Sequence, residues 1–281
     1  MAEVTAEMVK QLREATGARL LDCQKALKES NADIKAAMDW LRKQNLSKGG
    51  ETQSRSAEEG LLGHKLDGNK LAVVELSANT DFVAKNDEFR KLLEQLVDLT
   101  LAQKITSGEK LLAAQIGGRS VTDVVKELAG KIGENIAVKK ALFVEGDFGY
   151  YMHHDSKQAA VVELTGLTGE KANAVGKQLA MHIVSAKPVP ICITREEVPA
   201  DLVAKEKEIV TERLKTDPKN SKKPPEILAK IVEGQLGNFY AERCLLEQGF
   251  LGDSKNPVTK FLKEQGPNAG IKAFHYFKVG A

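Results

Sequence analysis

The sequence predicts an α+β protein with antiparallel sheets, and three observations carry that prediction. Apolar residues recur at helical spacing up to about residue 45, and the pattern switches to period two from Gly60. The stretch "LAVVELSANTD" (71–81) returns as "AAVVELTGLTG" (159–169), and "GENIAVKKALFVEG" from Gly133 returns, with one inserted residue, as "GPNAGIKAFHYFKVG" from Gly266. Two pairs in the same order argue for a duplicated strand, strand, helix, strand unit. Finally, two amphipathic helical runs interrupt the second copy before its last strand.

Residues 1–45 form the first predicted module, a bundle of three short helices. Thr5 is placed to cap the first, which carries Val9 and Leu12, and Gly17 sits where a helix end takes left-handed backbone. The second helix carries Leu20, Leu21, Ala26 and Leu27. The third, after Ser30 and Asn31, carries Ile34, Ala37, Met38 and Leu41 at the spacing of one buried face. So small a bundle buries little surface and is expected to lean on another element. Residues 46–59, "LSKGGETQSRSAEE", are polar and aperiodic and predict a linker.

The first core copy spans 60–147. "GLLGHKL" and "KLAVVELS" flank a "DGN" turn and predict a hairpin. A helix then aligns Phe89, Leu92, Leu93, Leu96 and Thr100, a second covers Val121 to Leu128, and "NIAVKKALFVEG" closes the unit as a strand. The second copy occupies 148–195 and 250–281. Between its parts, at 196–249, the runs "PADLVAKEKEIVTERLKTD" and "PPEILAKIVEGQLGNFYAERCLL" flank the polar, proline-containing tip "TDPKNSKKPP". Val203, Val210 and Leu214 on one run face Leu228, Val232, Leu236 and Phe239 on the other, which predicts an antiparallel coiled-coil hairpin. Its exposed flanks suit partner contact or a homodimer.

Composition excludes several functions. No apolar run reaches the roughly 20 residues of a membrane-spanning helix, and "MAEVTAEMVKQL" lacks the pattern of a signal or transit peptide, so a cytoplasmic protein is expected. Cys23, Cys192 and Cys244 are scattered and form no C-x-x-C, so neither a disulfide framework nor a structural zinc site is expected. With 41 basic against 39 acidic residues and 5% aromatics, nothing marks a nucleic-acid surface. The phosphate-loop pattern fails at both Gly130-Lys131 and Gly176-Lys177, and dehydrogenase, zinc-protease and serine-hydrolase motifs are absent from the sequence. No cofactor, metal or catalytic residue is expected, and the protein is predicted not to be an enzyme. His153, His154 and Asp155 fit a solvated hairpin end, since adjacent strand residues point to opposite faces. His182 in "LAMHIV" fits a satisfied buried histidine.

One corner stands out. After the apolar run 71–78 come Asn79, Thr80, Asp81, Phe82 and Val83. In the repeat, Thr168 aligns with Thr80, Gly169 with Asp81, Glu170 with Phe82 and Lys171 with Val83. A fold that accepts Glu170 at this position does not need a buried aromatic there, so Phe82 is predicted to point outward as a wedge for a partner.

The segments "TDFVAKN", "LREATGARLLDCQKAL", "GKIGENIAVKKA" and "IVEGQLGNFYAERCLLEQGF" resemble bacterial elongation factor Ts, in order and over nearly the whole chain. The resemblance implies an N-terminal ubiquitin-associated (UBA-like) helical module, a core of two related subdomains and a coiled-coil hairpin. It implies a guanine-nucleotide exchange factor for elongation factor Tu, in which Thr80, Asp81, Phe82 and Val83 act on the partner's nucleotide site and dislodge its Mg²⁺. It further implies that the module docks through "GARLLDC", with Leu20 and Leu21 as contacts, although both also fit a bundle core. Arg19 stands where the family usually has glycine, and Ala78 where it usually has cysteine. The further C-terminal helix of some members is not expected after Val279-Gly280-Ala281. The competing readings are a dimerising adaptor, which predicts that changes at Asp81 and Phe82 do nothing, and an RNA-associated factor, which predicts a steep salt dependence of RNA affinity.

Overall fold

The computed structural model of the chain describes residues 3–53, 56–217 and 223–281. The chain divides into two compact units, Met1–Glu145 with Lys278–Ala281, and Gly146–Phe277. The first holds α1 (Ala6–Thr16), α2 (Leu20–Glu29), α3 (Ile34–Thr52), β1 (Glu59–Asp67), β2 (Lys70–Ala78), α4 (Asp81–Ala84), α5 (Asp87–Gln103), α6 (Gly108–Ala113), β3 (Gln115–Ile116), β4 (Arg119–Ser120), α7 (Val121–Ile132) and β5 (Ile136–Glu145). The second holds β6 (Phe148–Met152), β7 (Gln158–Thr165), α8 (Gly169–Ser185), α9 (Ala200–Thr216), α10 (Pro225–Arg243), β8 (Gly249–Phe250), β9 (Asp253–Pro257), α11 (Val258–Gln265) and β10 (Gly270–Lys278). This is the α+β class that the sequence predicts.

In the bundle, the Thr5 hydroxyl accepts from the Met8 N–H at 3.3 Å, and Gly17 ends α1 with φ +61°. Val9, Leu12, Cys23, Ala26, Leu27, Ala37 and Leu41 form its core. Leu20, Leu21 and Met38 do not join it. Leu21 falls on the solvent stripe of α2 with Gln24, Lys25 and Lys28, and Leu20, the first residue of the helix, lines an open groove against α1.

Helix α3 corrects the linker expected over 46–59, because it continues to Thr52 through Gly49 and Gly50. α3 lies along α7, and the approach is so close that a Cβ on Gly130 would sit 1.8 Å from the Asn45 carbonyl oxygen. The bundle thus leans on the core through the very helix whose end looked like a linker. Residues 54–55 of that segment lie outside the described residues.

Each unit contains a three-stranded sheet of the same order, β1-β2-β5 and β6-β7-β10. β2 pairs antiparallel with both neighbours, and Asp67 faces Lys70 across a two-residue loop in which Gly68 takes φ +57°. The duplication reaches further than the quoted repeat. Gly63 pairs with Val74 and Gly149 with Val162, and these two valines are equivalent. At both glycines a helix rests on the strand: a Cβ would meet Leu93 and Val97 of α5 at 2.8 Å in one copy, and the Lys177 amide of α8 at 2.2 Å in the other. The missing side chain lets helix and sheet close over cores built on Phe89 and Leu96 in one unit and Leu179 and Ile183 in the other.

α9 and α10 pack together through Val210, Leu214 and Val232, flanked by Leu228, Ile231 and Leu236, and Arg213 donates to Gln235 at 3.0 Å. The predicted tip lies partly outside the described residues. At the base of the hairpin the Cys192 and Cys244 thiols are buried 3.6 Å apart, both unoxidised. Burial pushes the Cys244 thiol up to about 12.

Two glycines in helices make a paired prediction. Gly234 in α10 has nothing within 4 Å of a built Cβ, so Gly234→Ala is expected to stabilise by roughly 0.4–1 kcal/mol. Gly130→Ala forces α3 off α7 and is expected to destabilise by about 1–3 kcal/mol despite the same gain in propensity. Urea unfolding midpoints that move in opposite directions for the two variants are the expected result.

Candidate partner-docking corner

The corner at 79–86 is made by a strand that must leave its sheet. β2 ends at Ala78, and two asparagines fix the exit. Asn79 Oδ1 accepts from the Asn135 N–H at 2.7 Å while its amide donates to the Ser56 carbonyl. Thr80 then takes extended backbone, φ −124°, at the N-cap of α4. Its hydroxyl makes no cap bond to α4. It is drawn sideways, and the Thr80 N–H and Oγ1 both donate to the Glu134 carboxylate at 3.0–3.1 Å.

α4 is four residues long. The carbonyls of Phe82 and Val83 accept from the Lys85 and Asn86 N–H groups at 3.1 and 2.9 Å. Asn86 Oδ1 then caps α5 by accepting from Glu88 and Phe89. Within this single turn the side chains diverge. Val83 is 4% exposed and belongs to the core with Ala84, whereas Phe82 is 74% exposed. The four residues grouped by the sequence therefore do not form one displayed set: Val83 anchors, and Phe82 is presented. Thr80 and Asp81 are half-buried. Glu170, at the equivalent position of the second copy, is also exposed.

Lys85 borders the ring. Its ammonium lies 3.0 Å from Asp81 Oδ2 and 5.4 Å from the Phe82 ring centre. Both contacts are exposed and worth no more than about 1 kcal/mol each, so they bias the ring without holding it.

The bundle approaches the same region of its unit. Arg19, just before α2, donates to the Ile132 carbonyl at 3.2 Å and so caps the last turn of α7, which Gly133 closes with φ +87°. Lys131 pairs with Glu88 at 2.7 Å. From Arg19 the chain runs directly into Leu20 and Leu21, 50% and 76% exposed, and their bundle-core alternative does not hold. Glu134 and Asn135 are the working residues that sequence reasoning missed, and Arg19, noted there only as a departure from the family's glycine, gains a partner in α7. Only the "GENI" segment marked their neighbourhood, and nothing local connected it to Thr80.

His182 falls where sequence placed it and His153 and His154 do lie at a hairpin end, but not on opposite strand faces: β6 stops at Met152 and the two ring centres sit 4.4 Å apart. His153 bonds Tyr151 at 3.0 Å beside a turn in which Asp155 accepts from the Lys157 N–H. His182 is buried: Nε2 meets Gln248 Oε1 at 3.0 Å, and Nδ1 accepts from the Leu251 N–H at 3.2 Å. Gln248 in turn donates to the carbonyls of Pro188 and Glu242. Among the described residues no group of three or more His, Cys, Asp or Glu is placed to hold a metal ion, and no helix is long and apolar enough to cross a membrane.

Residues 79–281 match the family model for elongation factor TS. The chain is 36% identical to elongation factor Ts of Sphingopyxis alaskensis, across 100% of this chain and 94% of that protein. It is 38% identical to elongation factor Ts of Methylococcus capsulatus, across 99% of this chain and 92% of that protein. A helical module on a duplicated α+β core with an inserted helical hairpin is here the frame of a translation elongation factor. The chain belongs to the elongation factor Ts family.

His182 supplies a pH prediction. Burial lowers its pKa below the ordinary 6.5. A depressed histidine binds fewer protons in the folded than in the unfolded chain, so its stabilising contribution is complete above about 6.5 and is lost as pH falls toward the folded value. Urea unfolding at pH 7.5 and 5.5 should show lower stability at pH 5.5, and His182→Gln should flatten that difference.

Proposed function

We propose that this chain binds elongation factor Tu in its GDP form and promotes GDP release by inserting the Asp81–Phe82 corner beside the partner's nucleotide site, where it dislodges Mg²⁺. The observation that carries this reading is the 74% exposure of Phe82 on a turn fixed from both sides. A mobile turn loses backbone freedom on docking, whereas a braced one has already done so.

Burying the Phe82 ring between partner elements gains about 1.5–3 kcal/mol. That gain is available to displace groups of the nucleotide site. Mg²⁺ demands near-ideal octahedral geometry, and phosphates rest on amides at a helix start, so small shifts of either weaken GDP. Asp81, one turn from Lys85, brings a carboxylate that competes for the donors and cation of that site. Val83, buried in the core, anchors the lever, and Thr80 sets its hinge. Leu20 and Leu21 form a second contact on the helical module.

The coupling is reciprocal. If this chain weakens GDP on its partner, bound nucleotide weakens this chain by the same factor, and nucleotide rebinding releases it. GTP, in excess, then occupies the vacated site. No covalent bond is made or broken, so the chain accelerates exchange as a binding protein rather than as an enzyme.

Phe82→Ala is expected to slow the maximal release of labelled GDP by roughly ten- to hundredfold. Its unfolding free energy should stay within about 0.5 kcal/mol of the parent, since the ring is exposed. Undiminished exchange by the folded variant, or an equal loss of stability, contradicts the wedge.

A further inference from the structure

We propose that Glu134 is a positioning residue for Phe82, one that sets the direction in which the corner presents its ring; this rests on the wedge reading above. An isolated four-residue turn has too few internal hydrogen bonds to hold itself. Its direction is therefore imposed where the chain enters and leaves it. On the leaving side, Val83 is buried and Asn86 starts α5. On the entering side, both donors of Thr80 go to one carboxylate. That pair of charge-assisted bonds fixes the backbone at Thr80 and its hydroxyl rotamer together, two residues from Phe82.

The second copy shows that the fold does not require this device. Aligning "GENI" with "GPNAGI" puts Pro267 at the position of Glu134 and Asn268 at that of Asn135. Proline offers no side-chain acceptor, and there Thr168 has extended backbone, φ −135°, with no side-chain cap bond. The corner closes by other means. Gly166 lies so near the Asn268 carbonyl that a Cβ would be 1.9 Å from its oxygen, and Asp147 accepts from the Gly169 N–H at 3.0 Å. The helix then runs unbroken from Gly169 to Ser185 and shows solvent Glu170. The copy with a displayed aromatic has a carboxylate that takes both donors of the corner threonine; the copy with a displayed glutamate has a proline at that position, and its Asp147 carboxylate holds the helix start instead. There the corner is held by backbone packing at Gly166 and by Asp147 on the first helical N–H, with no side-chain acceptor at the Glu134 position. A carboxylate on the corner threonine accompanies the displayed ring.

The test uses the full chain, elongation factor Tu loaded with labelled GDP, and release rates measured over a range of factor concentrations. Maximal rate is thereby separated from half-saturating concentration. Glu134→Ala is expected to lower the maximal rate roughly ten- to hundredfold while half-saturation, set by surfaces that include Leu20 and Leu21, changes far less. Glu134→Gln, whose amide oxygen still accepts from Thr80, should recover part of the rate. In a Phe82→Ala background, Glu134→Ala should cost little further, because a residue that acts through the ring has nothing left to aim. Multiplicative losses in the double variant, or an unchanged maximal rate in Glu134→Ala, overturn the proposal. If Phe82→Ala is slow while Glu134→Ala is not, the wedge stands and only the positioning role fails. If Phe82→Ala exchanges normally, both fail. Should Glu134→Ala not fold, Thr80→Val removes the hydroxyl donor while keeping its shape, and its rates are judged by the same outcomes.

Discussion

The Glu134 carboxylate under Thr80 is the contact on which the presentation of the corner depends. β2 carries an almost wholly buried run up to Ala78, and within the next five residues the chain must place a phenylalanine in water and a valine in the core. Nothing within a single helical turn decides which of two adjacent apolar side chains goes in. The decision comes from the entry angle, and Asn79 and Thr80 fix that angle by reaching across to residues 134 and 135. Those residues are themselves placed by α7, whose last turn is capped by Arg19 and whose Gly130 lies against α3. A surface feature is thus supported by a chain of contacts that runs back into the helical bundle.

Duplication explains how such a corner can exist without compromising the fold. Both copies have the same sheet order, an antiparallel hairpin of their first two strands, tight in one and longer in the other, and the same glycine under the packing helix. With those constraints satisfied by backbone and apolar burial, the strand-to-helix corner is free to vary. One copy closes it with Gly166 against Asn268 and with Asp147 on the Gly169 N–H, and continues straight into α8. The other breaks the helix at Lys85 and Asn86 and holds the fragment by side chains. Exposing a phenylalanine forgoes burial worth about 1.5–3 kcal/mol, and a partner surface is where that energy becomes available.

Much of this was legible in the sequence because it is local. The "DGN" hairpin, the Thr5 cap, the Gly17 terminus and the stripe of α5 depend on residues within a few positions of one another, and periodicity reports them directly. The outward Phe82 was legible for a different reason, since Glu170 served as an internal control. What escaped was decided over long sequence separations. The helix that carries Gly49 and Gly50 packs through Asn45 on Gly130, a partner far along the chain that local composition does not reveal. Glu134 reaches Thr80 across 54 positions. Leu20 and Leu21 suit a buried stripe until the neighbouring helices leave them outside. Val83 seemed to share the fate of Phe82 because the motif is contiguous, yet in a helical turn neighbours point about 100° apart.

Burial of residue 82 during exchange tests the central claim most directly. A Phe82→Trp variant with the chain's one other tryptophan removed by Trp40→Phe reports the environment of that position alone. On addition of elongation factor Tu·GDP, its emission should shift to shorter wavelength and become protected from a soluble quencher, in step with GDP release. Exchange that proceeds while residue 82 keeps the emission and quenching of a solvated tryptophan contradicts the account.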